Sequence, residues 1–448
     1  MGNQTTNKKN HTVDRRSFVK TTGLATGAIL TSTIPFGAMA QTGRVEVLKL
    51  AVVGCGGRGT GAVVQALTAD PDVKLVAMAD AFEDRLEGSL HAIQEHFEGE
   101  RKIKIEEKNR FVGFDAYKKA IDLADVVILA TPPGFRPLHF EYAIEQDKHV
   151  FMEKPVATDP TGVRRVLKSA KLAKEKKLNV VVGLQRHYQK KYITLYDQVQ
   201  QRAMGKIVSG QVYWNSAGVW VRPREAGQSE LEYQMRNWYY FNWLCGDHIL
   251  EQHIHNIDVA NWFLGEYPSI AQGMGGRQVR TGKDHGEIFD HHFVEFTYPS
   301  GAVVSSQCRH QKGCNNRVDE VFQGSLGSMN IGKGTIMDLN GGEHFNYSDL
   351  HKEENDANPY QVEHDRLFAA IRTKSELLVD AENGAKATLT AIMGRMATYS
   401  GDIITWDQAL NSNLDLVPDD LNWGSIAPTL PDADGNYNIP VPGVTKFV

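Results

Sequence analysis

The stretch from Val45 to Asp80 most constrains what this chain can become. It opens with an apolar, β-branched run, Leu48–Val53, of the length expected for a strand buried on both faces. The run leads into Gly54-Cys55-Gly56-Gly57-Arg58-Gly59, and then into an amphipathic segment that predicts a helix over about Thr60–Leu67. A second strand, Lys74–Ala79, ends on Asp80. Gly54, Gly56 and Gly59 fit the pattern G-x-G-x-x-G. In that frame Gly54 permits a tight turn, Gly56 lets a pyrophosphate reach the backbone, and Gly59 lets helix and strand pack closely. Gly57 and Arg58 lie in the same turn, and the helix start offers free N–H groups to phosphates. Asp80 stands where an acid accepts ribose hydroxyls and repels a further phosphate, so NAD is expected rather than NADP. All five parts fall in register within one βαβ unit, unlike an isolated glycine turn.

At 448 residues the chain exceeds one ordinary core, so two domains are expected. With 41% hydrophobic and 23% charged residues, it has the composition of a soluble globular protein. A net charge of −5 without a basic, aromatic-laced face argues against nucleic acid as a partner. Cys55, Cys245, Cys308 and Cys314 lack metal-knuckle spacing. Cys308 and Cys314 stand close enough in sequence to pair, but free thiols are the expectation for all four.

Residues 1–40 read as an export signal. Asp14-Arg15-Arg16-Ser17-Phe18-Val19-Lys20 looks like a twin-arginine motif, and an apolar Gly- and Ala-rich segment then ends in Ala38-Met39-Ala40. The expected location is periplasmic, with no membrane anchor once the segment is removed. Because that route carries folded proteins, a nucleotide-dependent passenger is expected to hold its cofactor tightly.

Further buried strands follow at Asp125–Ala130, His149–Met152 and Asn179–Leu184, alternating with amphipathic helices. They complete a Rossmann domain over 44–187. From Ile207 the pattern becomes alternating, as in an antiparallel sheet with one covered face. The fold class is therefore an α/β Rossmann domain followed by an α+β domain, 188–448, with a large, mostly antiparallel open sheet. Its free face is expected to join a homo-oligomer. The segment beyond Trp406, rich in Pro, Asp, Asn and Gly, reads as a surface-wrapping tail.

Two features suit hydride transfer. Glu153-Lys154-Pro155 ends a parallel strand at the ligand rim, where a lysine can stabilise charge developing on a substrate oxygen. The second is a helix predicted over about His248–Leu264. There Glu251 and His255, four residues apart, would share a face, so the carboxylate could orient the imidazole as acid/base. His248 lies on the same broad face. A rival reading makes His248, Glu251 and His255 metal ligands, with His291 or His292; without a metal signature, no metal is expected.

Ala51–Gly59, Ala130-Thr131-Pro132-Pro133 with His139 after it, Met152–Val156 and His255-Asn256-Ile257-Asp258 occur in this order, and Asn261–Gly265 follows them. Together they resemble the Gfo/Idh/MocA oxidoreductases, over roughly Val45 to Ser400. The resemblance implies NAD(P) and a sugar, polyol or glycoside substrate, with Lys154 and His255 as the family's lysine and histidine. It implies cofactor contacts at Thr131, Pro132, His139 and Glu153. Glu251 stands where many members carry aspartate. Arg186, His187, Trp238, Tyr239 and His248 are candidate substrate contacts. Two other functions fit the scaffold. The glycine turn and export segment resemble NAD-dependent α-N-acetylgalactosaminidases, which oxidise a sugar transiently. A non-catalytic sugar-binding protein is the other.

Overall fold

The computed structural model describes residues 46–98, 102–103, 105–350 and 356–446. The expected export segment lies outside them. Six parallel strands form the first sheet, in the order β3-β2-β1-β4-β5-β6. In chain order this layer comprises β1 (Leu48–Val53), α1 (Gly57–Ala69), β2 (Val73–Asp80), α2 (Glu83–His96), β3 (Arg110–Val112) and α3 (Ala116–Asp122). It continues through β4 (Val126–Leu129), α4 (Arg136–Glu145), β5 (His149–Met152), α5 (Pro160–Glu175) and β6 (Val180–Val182). Every residue of β4 and β6 is buried, which explains their unbroken apolar sequences. The order reverses between β1 and β4, so the ligand crevice of an open α/β sheet opens at their carboxyl ends.

The next elements are α6 (Lys190–Gln200), β7 (Ile207–Ser216), α7 (Glu230–Arg236), α8 (Asn242–Cys245), α9 (His248–Glu251) and α10 (Ile254–Leu264). Seven strands follow: β8 (Ile270–Gly276), β9 (His291–Thr297), β10 (Val303–His310), β11 (Arg317–Gly324), β12 (Gly327–Asn330), β13 (Thr335–Asp338) and β14 (Glu343–Asn346). The chain closes with α11 (Tyr347–Leu350), α12 (Pro359–Thr373), α13 (Ala381–Ser400), β15 (Ile404–Thr405) and α14 (Trp406–Asn411). The second sheet has nine strands in the order β14-β13-β12-β11-β7-β10-β9-β8-β15. It is mixed rather than purely antiparallel, because β10 pairs with β7 in parallel.

Strands β9 and β10 alternate buried and half-buried residues, as expected for a sheet covered on one face. The cover is α13, buried almost all round, which packs on β8, β9 and α5. All four cysteines are free, and Cys314 alone is exposed. Among the described residues, no helix is long and apolar enough to cross a membrane.

Candidate functional site

The glycine turn behaves as its spacing requires. Gly54 has φ +98°, and a Cβ there would lie 2.5 Å from the Ala130 and Thr131 backbone. A Cβ on Gly59 would meet the Gly54 carbonyl oxygen at 1.9 Å, so only glycine lets α1 start this close to β1. A Cβ on Gly56 or Gly57 would meet nothing within 4 Å, leaving the open cradle that a pyrophosphate needs. No side chain caps α1, and its first turn carries no acid, so its N–H groups face the crevice uncompensated. Asp80 accepts from Cys55 N–H at 2.6 Å through Oδ2 and from Phe82 N–H at 2.9 Å through Oδ1. Each oxygen keeps a lone pair for a ribose hydroxyl. Burial pushes the Asp80 pKa up, against these two hydrogen bonds. Glycines, helix start and acid thus fit a dinucleotide.

The Thr131-Pro132 turn closes the other side of this rim. Buried Arg136 pins it, donating to the Thr131 carbonyl at 2.6 Å and to the Leu129 carbonyl. Burial lowers the Arg136 pKa to about 10. The His139 Nδ1 lies 3.3 Å from Thr131 Oγ1, and burial, aided by Arg136, holds this imidazole down to about 3. Arg58 donates to Glu153 at 2.5 Å and lies 5.1 Å from the Tyr360 ring, tying α1 to the end of β5 and to α12. Tyr360 and its neighbour Glu363, whose pKa burial raises strongly, reach this pair from about 300 residues after Arg58 and about 210 after Glu153. No local motif marks them.

The chemistry-bearing side chains meet where β5 faces α9. Lys154 Nζ donates to the Glu251 carbonyl at 2.5 Å and to its carboxylate at 3.0 Å. Each side chain is 12% exposed, so the pair sits at the mouth of the crevice. The predicted continuous helix is broken here, because α9 ends at Glu251 and α10 begins at Ile254. At the break Lys154 captures the Glu251 carbonyl that would serve the next helical turn, and the His253 N–H reaches back to the His248 carbonyl at 3.1 Å. The expected Glu251–His255 contact is therefore replaced by Glu251–Lys154.

His255 is 5% exposed, and its ring lies 5.9 Å from that of Trp214 on β7. Its buried Nδ1 has no hydrogen-bond partner among the described residues. Burial holds its pKa well below the ordinary imidazole range, and the charges of Lys154 and Arg186 add to that shift. This shift favours the neutral imidazole. Trp214 is a neighbour that the alternating strand pattern did not single out.

The expected substrate contacts fare differently. Arg186 is buried against Glu320, which also accepts from Asn256 at 2.7 Å and Tyr192 at 3.1 Å; it braces α10 against β11. The His187 imidazole bonds Asp258 at 2.7 Å and stacks on Trp262 at 4.1 Å, so its polar edge is engaged within the protein. Tyr239 is 2% exposed, and its hydroxyl has no partner among the described residues. Trp238 packs edge-on to Trp220 beside it. His248 is fully buried and cannot reach a ligand from the crevice.

Its Nδ1 lies 2.7 Å from Asp247 Oδ1, while Oδ2 takes Phe289 N–H at 2.9 Å, Tyr399 O–H at 2.5 Å and His292 Nε2 at 3.2 Å. Burial opposes the Asp247 charge, but the two imidazoles hold its pKa well below the usual carboxylate range. Asp247, His248 and His292 have metal-like spacing, unlike the His248, Glu251 and His255 set. These hydrogen bonds already occupy both Asp247 oxygens.

A dinucleotide cradle tied through Arg58 to Glu153, beside the Lys154–Glu251 pair, suits a nicotinamide-dependent oxidoreductase. The family models bear this out: the oxidoreductase family's NAD-binding Rossmann fold matches residues 48–184, and its C-terminal α/β domain matches 197–402. The chain belongs to the Gfo/Idh/MocA oxidoreductase family and binds NAD. It is 25% identical to an inositol 2-dehydrogenase of Rubrobacter xylanophilus, over 64% of this chain and 72% of that one. It is 24% identical to a glycosyl hydrolase family 109 protein of Shewanella baltica, over 45% of this chain and 46% of that one. Scyllo-inositol dehydrogenase from Lactobacillus casei, solved with NAD(H) and scyllo-inositol, shares the fold. Its TM-score is 0.59 at 18% identity, covering 81% of this chain and 100% of that one.

Proposed function

We propose that this protein oxidises a secondary hydroxyl of a sugar, glycoside or cyclitol, using a tightly held NAD. The observation that carries this reading is the Lys154–Glu251 pair at the crevice mouth, with the buried His255 imidazole near enough to sense the Lys154 charge. Bound NAD supplies the hydride acceptor. The Lys154 ammonium donates a hydrogen bond to the substrate oxygen and offsets the negative charge that grows there. His255, neutral before the reaction, takes the hydroxyl proton. Glu251 holds the ammonium in place through two contacts. The inositol dehydrogenase relative supports the substrate class.

The test compares wild type with His255→Ala after adding a panel of cyclitols, aldoses and glycosides. Wild type should develop the absorbance of reduced nicotinamide, while His255→Ala should retain nucleotide and lose about 10²- to 10⁴-fold in rate. Unchanged turnover in the variant refutes the assignment. Aglycone release without net reduced cofactor would instead favour the redox-neutral glycosidase reading, which the family 109 relative supports.

The twin-arginine-like segment supports periplasmic export, and cell fractionation that leaves the chain in the cytoplasm refutes it. The open face of the second sheet, with Phe293, Val303 and Val321 half-exposed, supports a homo-oligomer, and a monomer by light scattering refutes that.

A further inference from the structure

The tail after α14 returns to the nucleotide rim. Its start is tied to α5: Arg164 donates to the Leu410 and Ser412 carbonyls, each at 2.7 Å, and Leu416 N–H donates to Asp159 at 2.8 Å. Arg165 pairs with Asp419 at 2.6 Å. Further on, Leu421, Ala427 and Tyr437 join the buried aromatic cluster built by residues 231–245, and Gln234 donates to the Thr429 carbonyl at 2.7 Å. Trp423 lies between these fixed points. Its ring is 5.1 Å from Phe82 and 4.8 Å from Phe114.

Those two phenylalanines follow the carboxyl ends of β2 and β3. The Phe82 N–H is itself bonded to the Asp80 carboxylate, and the Phe114 ring lies 6.2 Å from Phe135, in the turn after β4. The Arg236 guanidinium stands 4.0 Å from the Phe82 ring and pairs with Asp84, bringing α7 against the same edge. An indole still 40% exposed thus stands on an aromatic shelf beside the acid that faces the cofactor's adenosine ribose.

We infer that Trp423 is a binding residue for the adenine of the cofactor, and that the tail between Ser412 and Thr429 is a clasp that slows cofactor release. The inference rests on the NAD site described above. Stacking on an aromatic side chain changes nucleotide affinity by about 5- to 150-fold per base.

The test measures release of reduced cofactor from the full-length chain by stopped-flow displacement, following nicotinamide fluorescence. Trp423→Ala should release it about 5- to 150-fold faster, and Trp423→Phe should fall between the two. Titrated by calorimetry, ADP-ribose should show the same loss of affinity, whereas nicotinamide mononucleotide should not. Asp419→Asn, which loosens the tail without touching the shelf, should also hasten release and serves if Trp423→Ala does not fold. Release from Trp423→Ala at the wild-type rate overturns the clasp, and slower release shows an indole that competes with adenine and overturns it too. Wild-type protein that binds no NAD(H) would instead overturn the cofactor site itself.

Discussion

Replacing Arg186 tests whether this residue touches substrate or holds the fold. Its partner Glu320 is 0% exposed, and after Arg186→Met it would keep only the Asn256 and Tyr192 hydrogen bonds. Removing one partner of a buried ion pair costs about 3–5 kcal/mol, because the remaining charge is stranded. The compact unit from Glu46 onward has roughly 400 residues. At about 2.1 cal/mol/K per residue, its unfolding entropy near the midpoint is about 0.85 kcal/mol/K. The expected fall in Tm is therefore about 4–6 °C by scanning calorimetry.

Burial already raises the Glu320 pKa against the pull of Arg186, and losing Arg186 raises it further. For a carboxyl whose folded-state pKa exceeds its unfolded value, folding favours the protonated form. The deficit should therefore shrink as pH falls toward that raised pKa, and be smaller at pH 5 than at pH 8. Arg186→Met/Glu320→Gln, which strands no charge, should recover at least half of the loss. A Tm within 1 °C of wild type together with a tenfold higher KM would refute this reasoning and restore Arg186 as a substrate contact.

Gly59→Ala should abolish NADH binding in a fluorescence titration, because its Cβ would lie 1.9 Å from the Gly54 carbonyl and force the cradle open; binding within twofold of wild type would contradict that. Lys154→Met should slow turnover by about 10²- to 10³-fold while the cofactor stays bound. It should also raise the His255 pKa, since one cause of its depression is the Lys154 charge. Protonated His255 should then appear at a higher pH by imidazole NMR in the variant than in wild type. An unshifted titration would show that the two groups do not sense each other.

Local pattern carried much of this fold. Strands β4 and β6 are apolar on both faces, and the glycine turn has steric demands that only one arrangement meets, so both could be read within a few residues. Contacts distant in sequence could not. Arg186 looked like a crevice residue because its partner, Glu320, lies 134 positions away on β11. Strands β13 and β14 escaped notice because they are four residues each and largely solvated, without a clean alternation. The parallel pairing of β7 with β10 leaves no mark in either strand's sequence.

The break between α9 and α10 is the most consequential of these differences. Spacing of four residues made Glu251 a partner for His255, an arrangement that would favour imidazolium. Lys154, 97 positions earlier, takes both the carbonyl and the carboxylate of Glu251 instead. The negative charge is thereby spent on the ammonium, and His255 is left buried in the field of Lys154 and Arg186. That field disfavours a resting proton on the imidazole, so under the proposed reading His255 would meet a hydroxyl unprotonated. Under that reading, negative charge developing on a substrate oxygen beside Lys154 would offset the same field and make the imidazole a better proton acceptor. Pairing the carboxylate with the lysine would in that case couple proton removal to the charge that the reaction itself creates.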